Sequence, residues 1–311
     1  MRKKIYIPFI LLLLLALSAC GNPSTNKEGN ATPNDKEKNE SSTITYQSEN
    51  GPVEVPADPQ RVVVLSSFTG NVMSLGVNVV GVDSWSKKNP RFEPQLKDVP
   101  EVSDESLEKI IELDPDLIIG LSSINNVDKL KEIAPTVTYT YGKVDYLTQH
   151  LEIGKLLNKE KEAAAWVDDF KKRAAKVGED IKAKIGPDKT VSVIENFDKQ
   201  LYVYGDNWGR GTEILFQEMK LNMPEKVKET ALEAGYYALS SEVLPEFAGD
   251  YVILSKDPGQ DNSFQETETY KNIPAVKNNQ VFEVNMNEFY FNDPLTLDFQ
   301  LDFFKKSFLG S

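Results

Sequence analysis

In 311 residues the sequence holds one cysteine, Cys20, and one histidine, His150. A lone cysteine forbids a disulfide within the chain, and a lone histidine forbids a multi-histidine metal site. The sequence also lacks a Gly-x-Ser-x-Gly nucleophile turn, a dinucleotide-binding glycine fingerprint and a Gly-Lys-Ser/Thr phosphate loop, so the usual marks of hydrolases, flavin or nicotinamide enzymes and nucleotidases are missing. Positive charge is scarce, with 35 basic residues against 48 acidic ones and a net charge of -13. Setting aside Arg2, Lys3 and Lys4, which fall in a removable leader, 32 basic residues face the 48 acids, a net -16. Such a chain repels nucleic acid and anionic lipid headgroups. What remains is ordinary globular composition, 40% hydrophobic and 27% charged, with length enough for about two domains.

Arg2-Lys3-Lys4 precedes an apolar run from Ile5 to Ala19, the charged and hydrophobic regions of an export signal. The run is short for a membrane span. It ends in Leu17-Ser18-Ala19-Cys20-Gly21, which resembles a bacterial lipobox in which Cys20 is diacylated and becomes the first mature residue. Two acyl chains hold a protein on a membrane without spanning it. The expected location is therefore the outer face of the cell membrane, anchored through Cys20. From Asn22 to about Thr43 almost nothing is apolar, which predicts a flexible tether reaching roughly 25 Å.

Beyond the tether, short β-branched runs alternate with helical patterns. Arg61-Leu65, Val79-Val82, Leu117-Ile119 and Val137-Tyr139 read as strands, and Ser106-Leu113 reads as a helix stopped by Asp114-Pro115. A second series comprises Val191-Ile194, Leu201-Tyr204, Tyr251-Leu254 and Val281-Val284. The alternation predicts an α/β fold in two similar lobes. Between the series, Trp166, Phe170, Ala174, Val177, Ile181 and Ile185 recur at helical steps, giving one or two long amphipathic helices, the second capped by Asn158. It either spans both lobes or packs on one. The expected organisation is signal peptide 1-19, tether 20-43, N-terminal lobe 44-144, helical connection 145-186 and C-terminal lobe 187-311.

The most unusual stretch is Leu201-Tyr202-Val203-Tyr204-Gly205-Asp206-Asn207-Trp208-Gly209-Arg210-Gly211-Thr212-Glu213. Strand alternation puts Tyr202 and Tyr204 on one face, and the glycine-rich turn then exposes Trp208 and Arg210 before a helix near Thr212. Two readings stay open: an aromatic and a guanidinium prepared for a ligand, or a packed tryptophan with the arginine paired to one of many acids.

Asp206-Asn207-Trp208-Gly209-Arg210-Gly211, Phe247-Ala248-Gly249-Asp250-Tyr251-Val252 and Tyr290-Phe291-Asn292-Asp293-Pro294-Leu295-Thr296-Leu297-Asp298-Phe299 together resemble the ferric hydroxamate siderophore-binding lipoproteins of Gram-positive bacteria. The resemblance runs from about Val53 to the C-terminus. It implies two Rossmann-like lobes joined by a single long helix, with the ligand in the cleft between them. It also implies that Arg210 donates to hydroxamate oxygens while Trp208 packs on the ligand. Tyr202 falls on a ligand-contacting position, and Tyr141 and Tyr290 are candidate walls. Trp85 belongs either to a first-lobe cleft loop or over a strand edge. Phe289-Tyr290-Phe291 leaves open which ring faces the cleft. Glu108 and Glu242, each expected on a helix of its own lobe, resemble the surface glutamates that meet arginines of the importer's membrane subunits.

The chemistry implied is consistent. Ferric iron is a hard cation that six siderophore oxygens already saturate, so the protein needs neither a metal ligand nor a cofactor. A tris-hydroxamate complex is near neutral with partial negative charge on its oxygens, which suits one forked cation and aromatic walls. A tris-catecholate, with roughly three negative charges, calls for a cluster of Lys or Arg. The expectation is a monomeric, non-enzymatic solute-binding protein serving an ABC importer. The rivals are a binder of catecholate or carboxylate siderophores, haem or cobalamin, and, in another class, a surface hydrolase or siderophore reductase. His150 is expected to be structural or superficial.

Overall fold

The computed structural model describes residues 42-257 and 259-310. Cys20, the signal peptide and nearly all of the tether lie outside the described residues. Order begins with a hairpin, β1 (Thr43–Ser48) and β2 (Gly51–Pro56). Its first strand takes in Thr43, the last residue expected of the tether.

The N-terminal lobe is built on β3 (Val62–Val64), β4 (Val79–Val82), β5 (Leu117–Leu121) and β6 (Thr136–Tyr139), ordered β4-β3-β5-β6 and all parallel. Both faces of such a sheet are covered, so its strands are continuously apolar. The alternation within β3 shows why: Val62 and Val64 enter one core while Val63 enters the opposite one, and all three are fully buried.

The C-terminal sheet contains β7 (Val191–Phe197), β8 (Gln200–Tyr204), β9 (Tyr236–Leu239), β10 (Tyr251–Lys256) and β11 (Val281–Asn285) in the order β11-β10-β7-β8-β9. Here the lobes differ more than the sequence suggests. β7, β10 and β11 are parallel, but β8 runs antiparallel to β7, and β9 antiparallel to β8. The cause is the two-residue turn Asp198-Lys199, whose φ values of 47° and 64° both lie in the left-handed region. A turn of that length and hand joins only antiparallel neighbours.

Helix Tyr146–Leu156 leads into a second helix, Glu160–Ile185, of 26 residues and roughly 39 Å. Ala163 near its start belongs to the N-terminal core, while Phe170, Ala174 and Ile181 belong to the C-terminal one. It therefore spans both lobes. Asn158 does not cap it: that residue adopts φ 56°, bonds the Ala57 carbonyl at 3.2 Å, and leaves Lys159 at the cap without a side-chain bond. Acidic residues in the first turn and Lys182 and Lys184 in the last match the helix dipole instead.

A second element also touches both lobes. Asp293 caps the C-terminal helix Pro294–Leu309 through Leu295 N (3.0 Å), Thr296 N (3.2 Å) and the Thr296 hydroxyl (2.7 Å), and its carboxylate lies against Gly70 so closely that any Cβ there would clash. Leu295 joins the N-terminal core, and Leu297, Leu301 and Phe304 the C-terminal one. Arg91 adds a cross-tie to Glu288 at 3.0 Å.

His150 is buried behind the cleft, its ring edge-on to Trp166 at 5.3 Å and its Nδ1 3.3 Å from the Asn71 amide nitrogen. Burial disfavours the charged ring and pushes its pKa from 6.5 down to about 4. The unfolded chain takes up this proton first, so the stabilising effect is complete above pH 6.5 and is lost as pH falls toward 4, by up to about 3 kcal/mol. The unfolding free energy of the wild type minus that of His150→Gln should decrease through this window in urea titrations. A difference independent of pH contradicts the assignment.

Candidate functional site

The loops that follow strands of the parallel N-terminal sheet face the C-terminal lobe, the customary place for a ligand crevice in α/β proteins. Ser67 follows β3 and Tyr141 follows β6. Trp85 follows β4, where the carboxylate of Asp83 accepts from the Trp85 and Ser86 backbone amides at 2.9 and 3.1 Å and fixes the start of the short helix Ser84–Lys88. Burial raises the pKa of Asp83 although these bonds oppose the shift.

From the other lobe comes the turn after β8. Gly209, Arg210 and Gly211 all have positive φ (70°, 59° and 84°). Glycine is required on either side for a second reason: a Cβ on Gly209 would strike the Tyr290 carbonyl, and one on Gly211 the Phe304 ring. Arg210 itself sits in a conformation costly to a branched-out side chain, a cost tolerated where surrounding structure over-determines it.

That surrounding structure is specific. Contrary to the expectation of an exposed turn, Arg210 is only 7% exposed. Its Nε and Nη2 donate to Glu195, which is fully buried on β7, at 2.9 to 3.2 Å, and its Nη1 donates to the Trp208 carbonyl at 3.0 Å. Tyr204 (2.9 Å) and Ser255 (2.7 Å) donate to the same carboxylate. Tyrosine rings flank the guanidinium, with Tyr204 at 4.8 Å and Tyr290 at 4.4 Å. Burial works against the charge, and Glu195 more than offsets it, holding the guanidinium firmly protonated. Of five N–H groups, one on each terminal nitrogen is left without a protein acceptor among the described residues.

Both sequence readings are thus partly realised. Arg210 is paired with an acid, yet it also lines a cavity of about 190 Å3 together with Trp208, Tyr141 and Tyr290. Of the aromatic triplet, Phe289 is a core residue and Tyr290 faces the cleft, while Phe291, 6% exposed and part of the N-terminal core, also reaches the cavity wall. Trp85 lies on the cleft side, stacked on Tyr290 at 4.6 Å and 6.2 Å from Phe197. Tyr141 meets Trp208 edge-on at 5.5 Å across the cleft. Tyr202 does not line this cavity; it reaches Trp208 through Tyr236, which is 5.9 Å from one and 5.3 Å from the other. Glu108 and Glu242 are exposed on their separate lobes, and neither lines the cavity. Glu108 is helical as expected, but Glu242 is in the turn ahead of helix Leu244–Phe247. Among the described residues no group of three or more His, Cys, Asp or Glu is placed to hold a metal ion.

Sequence reasoning missed Glu195 and Tyr236, and gave no role to Glu213 at the end of the conspicuous stretch. Glu213 lies beneath the turn and accepts from Gly209 N and Asn292 Nδ2, both at 2.9 Å, with its pKa raised by burial. Only Tyr236 carries a local signal, as an aromatic pair with Tyr237 directly after Gly235.

The profile of the periplasmic binding protein family matches residues 62–287. The chain belongs to the periplasmic binding protein family. Within this family it is 38% identical over 306 residues to the iron(3+)-hydroxamate-binding protein FhuD of Bacillus subtilis, covering 96% of this chain and 95% of that one. It is 36% identical over 312 residues to the iron(3+)-hydroxamate-binding protein YxeB of the same organism, covering 97% and 95%. The solved structure of FhuD2 from Staphylococcus aureus with bound ferrioxamine B superposes with a TM-score of 0.77 at 34% identity, over 81% of this chain and 99% of that one.

In this periplasmic binding protein, removing one partner of the buried ion pair leaves the other charge uncompensated. Glu195→Leu should therefore lose about 3 to 5 kcal/mol of stability in denaturant unfolding, and adding Arg210→Met should recover part of it. Simple addition of two losses contradicts the pairing.

Proposed function

We propose that this protein is an extracytoplasmic, lipid-anchored solute-binding protein that captures Fe3+-hydroxamate siderophores and delivers them to an ABC importer, without a chemical step of its own. The observation that carries the reading is the Arg210 fork, clamped by Glu195 and the Trp208 carbonyl with two N–H groups to spare in an aromatic-walled cavity. Its charge is already matched by Glu195, so the site suits a near-neutral complex with partial charge on its oxygens. A trianionic catecholate complex would meet no surplus of positive charge. Haem is disfavoured because the sole histidine is packed against Trp166 and Asn71, away from any axial position.

Arg210 donates to hydroxamate oxygens, Trp208 packs on the ligand, Tyr141 and Tyr290 form the walls beside them, and Trp85, Tyr202 and Tyr236 meet the ligand from the rim of the cavity. The iron arrives with its six oxygens and is cargo. Glu108 and Glu242 meet the importer's membrane subunits, Cys20 carries the lipid, and the protein works as a monomer, with domains divided near residues 144 and 187.

Tryptophan fluorescence tests the ligand. A ferric trihydroxamate should quench emission saturably, while Arg210→Lys, which keeps Glu195 compensated but loses the fork, should bind at least about tenfold more weakly. An unchanged affinity, or an equal response to a ferric catecholate, contradicts the reading. In cells, the Glu108→Ala/Glu242→Ala pair should slow iron uptake without altering affinity in vitro, and Cys20→Ala should shed the protein from the membrane. Weakened binding in the glutamate pair, or retention of the cysteine variant, contradicts those roles.

A further inference from the structure

Among the described residues, most of those other than glycine that adopt a positive φ sit at a helix end or in the Asp198-Lys199 turn. Two do not: Arg210 (φ 59°) and Ser67 (φ 54°), and these two line the same cavity from opposite lobes. The left-handed region favours Gly, Asn and Asp, so a serine held there calls for a reason.

The local structure shows how the serine is held. It follows β3 as the centre of a three-residue turn in which Phe68 N donates to the Ser66 carbonyl at 2.6 Å. Such a turn with a positive central φ is a strained form. Both flanks are tied to β5: Leu65 N donates to the Ile119 carbonyl at 2.9 Å, and Ser66 Oγ accepts from Leu121 N at 3.0 Å. The sheet thus over-determines the turn, which is how strain persists at working sites. No contact within the protein repays that strain. Ser67 is half-buried, lining the Arg210 cavity and an adjoining one of about 260 Å3, and among the described residues its hydroxyl has no hydrogen-bond partner. It is free to donate to a group that enters.

We infer that Ser67 is a ligand-binding residue of the N-terminal lobe, its hydroxyl donating to a hydroxamate oxygen of the chelate that Arg210 grips from the other lobe. The inference rests on the hydroxamate reading above. A trihydroxamate surrounds iron with six oxygens, so a chelate held by the guanidinium on one side still presents acceptors to the other. Asn292, on the same wall, already donates to Glu213 at 2.9 Å.

The test uses two variants, each followed by fluorescence titration with one ferric trihydroxamate and by urea unfolding. Ser67→Ala keeps the strained turn and removes the hydroxyl; it should bind about tenfold more weakly with an unchanged unfolding midpoint. Ser67→Gly also relieves the backbone, so it should lose affinity to the same extent while its midpoint stays level or rises. A residue kept only for the fold would show no such split. Unchanged affinity in Ser67→Ala overturns the proposal, as does a loss confined to Ser67→Gly, which would make turn shape rather than the hydroxyl responsible. A midpoint that falls together with affinity in Ser67→Ala marks a structural role and overturns it too. If the wild type binds no trihydroxamate, the hydroxamate reading fails first and takes the role of Ser67 with it.

Discussion

The cleft depends on one buried ion pair. A guanidinium placed among tyrosine rings at 7% exposure is tenable only because Glu195 shares its charge and because Tyr204 and Ser255 fill the remaining acceptor sites of that carboxylate. The pair dictates much around it. The turn must swing Arg210 back over β7, which needs three successive left-handed residues and so two glycines. Tyr290 must lie flat on the outer face of the cation, which brings the segment after Phe289 across to Trp85. The resulting donor is aimed before any ligand arrives, so little ordering cost falls on binding.

The framework behind the cleft is stiff for reasons that are equally local. One helix contributes to both hydrophobic cores, a second rests Asp293 against Gly70, and Arg91 reaches Glu288 between them. Burial raises the pKa of Asp293 to about 6 despite three hydrogen bonds to its carboxylate. Large hinge motion would break all three ties at once. Small adjustments at the cleft walls, where Tyr141 and Tyr236 are exposed, are the cheaper way to admit and release a chelate.

Much of this was legible in the sequence, and the limits have physical causes. The β-branched runs at Val62–Val64 and Leu117–Leu121 announce a parallel sheet because burial on both faces leaves no polar alternation to read. The Gly-Arg-Gly turn was conspicuous because backbone strain leaves a compositional mark. Glu195 left none: an acid at the end of an apolar strand becomes meaningful only when a residue fifteen positions later folds back onto it. The antiparallel course of β8 was hidden in the two-residue turn Asp198-Lys199, and Asn158 misled because a left-handed residue that ends one helix looks like the cap of the next.

The central claim is that a preassembled iron chelate is gripped from outside by a fixed guanidinium and aromatic rings. A crystal structure of the protein with a ferric trihydroxamate tests it most directly. The account predicts six ligand oxygens around iron, the two spare N–H groups of Arg210 within hydrogen-bond distance of hydroxamate oxygens, and the Glu195 contact retained. A protein atom bonded to the ferric ion, or a chelate seated away from Arg210 and Trp208, would contradict it.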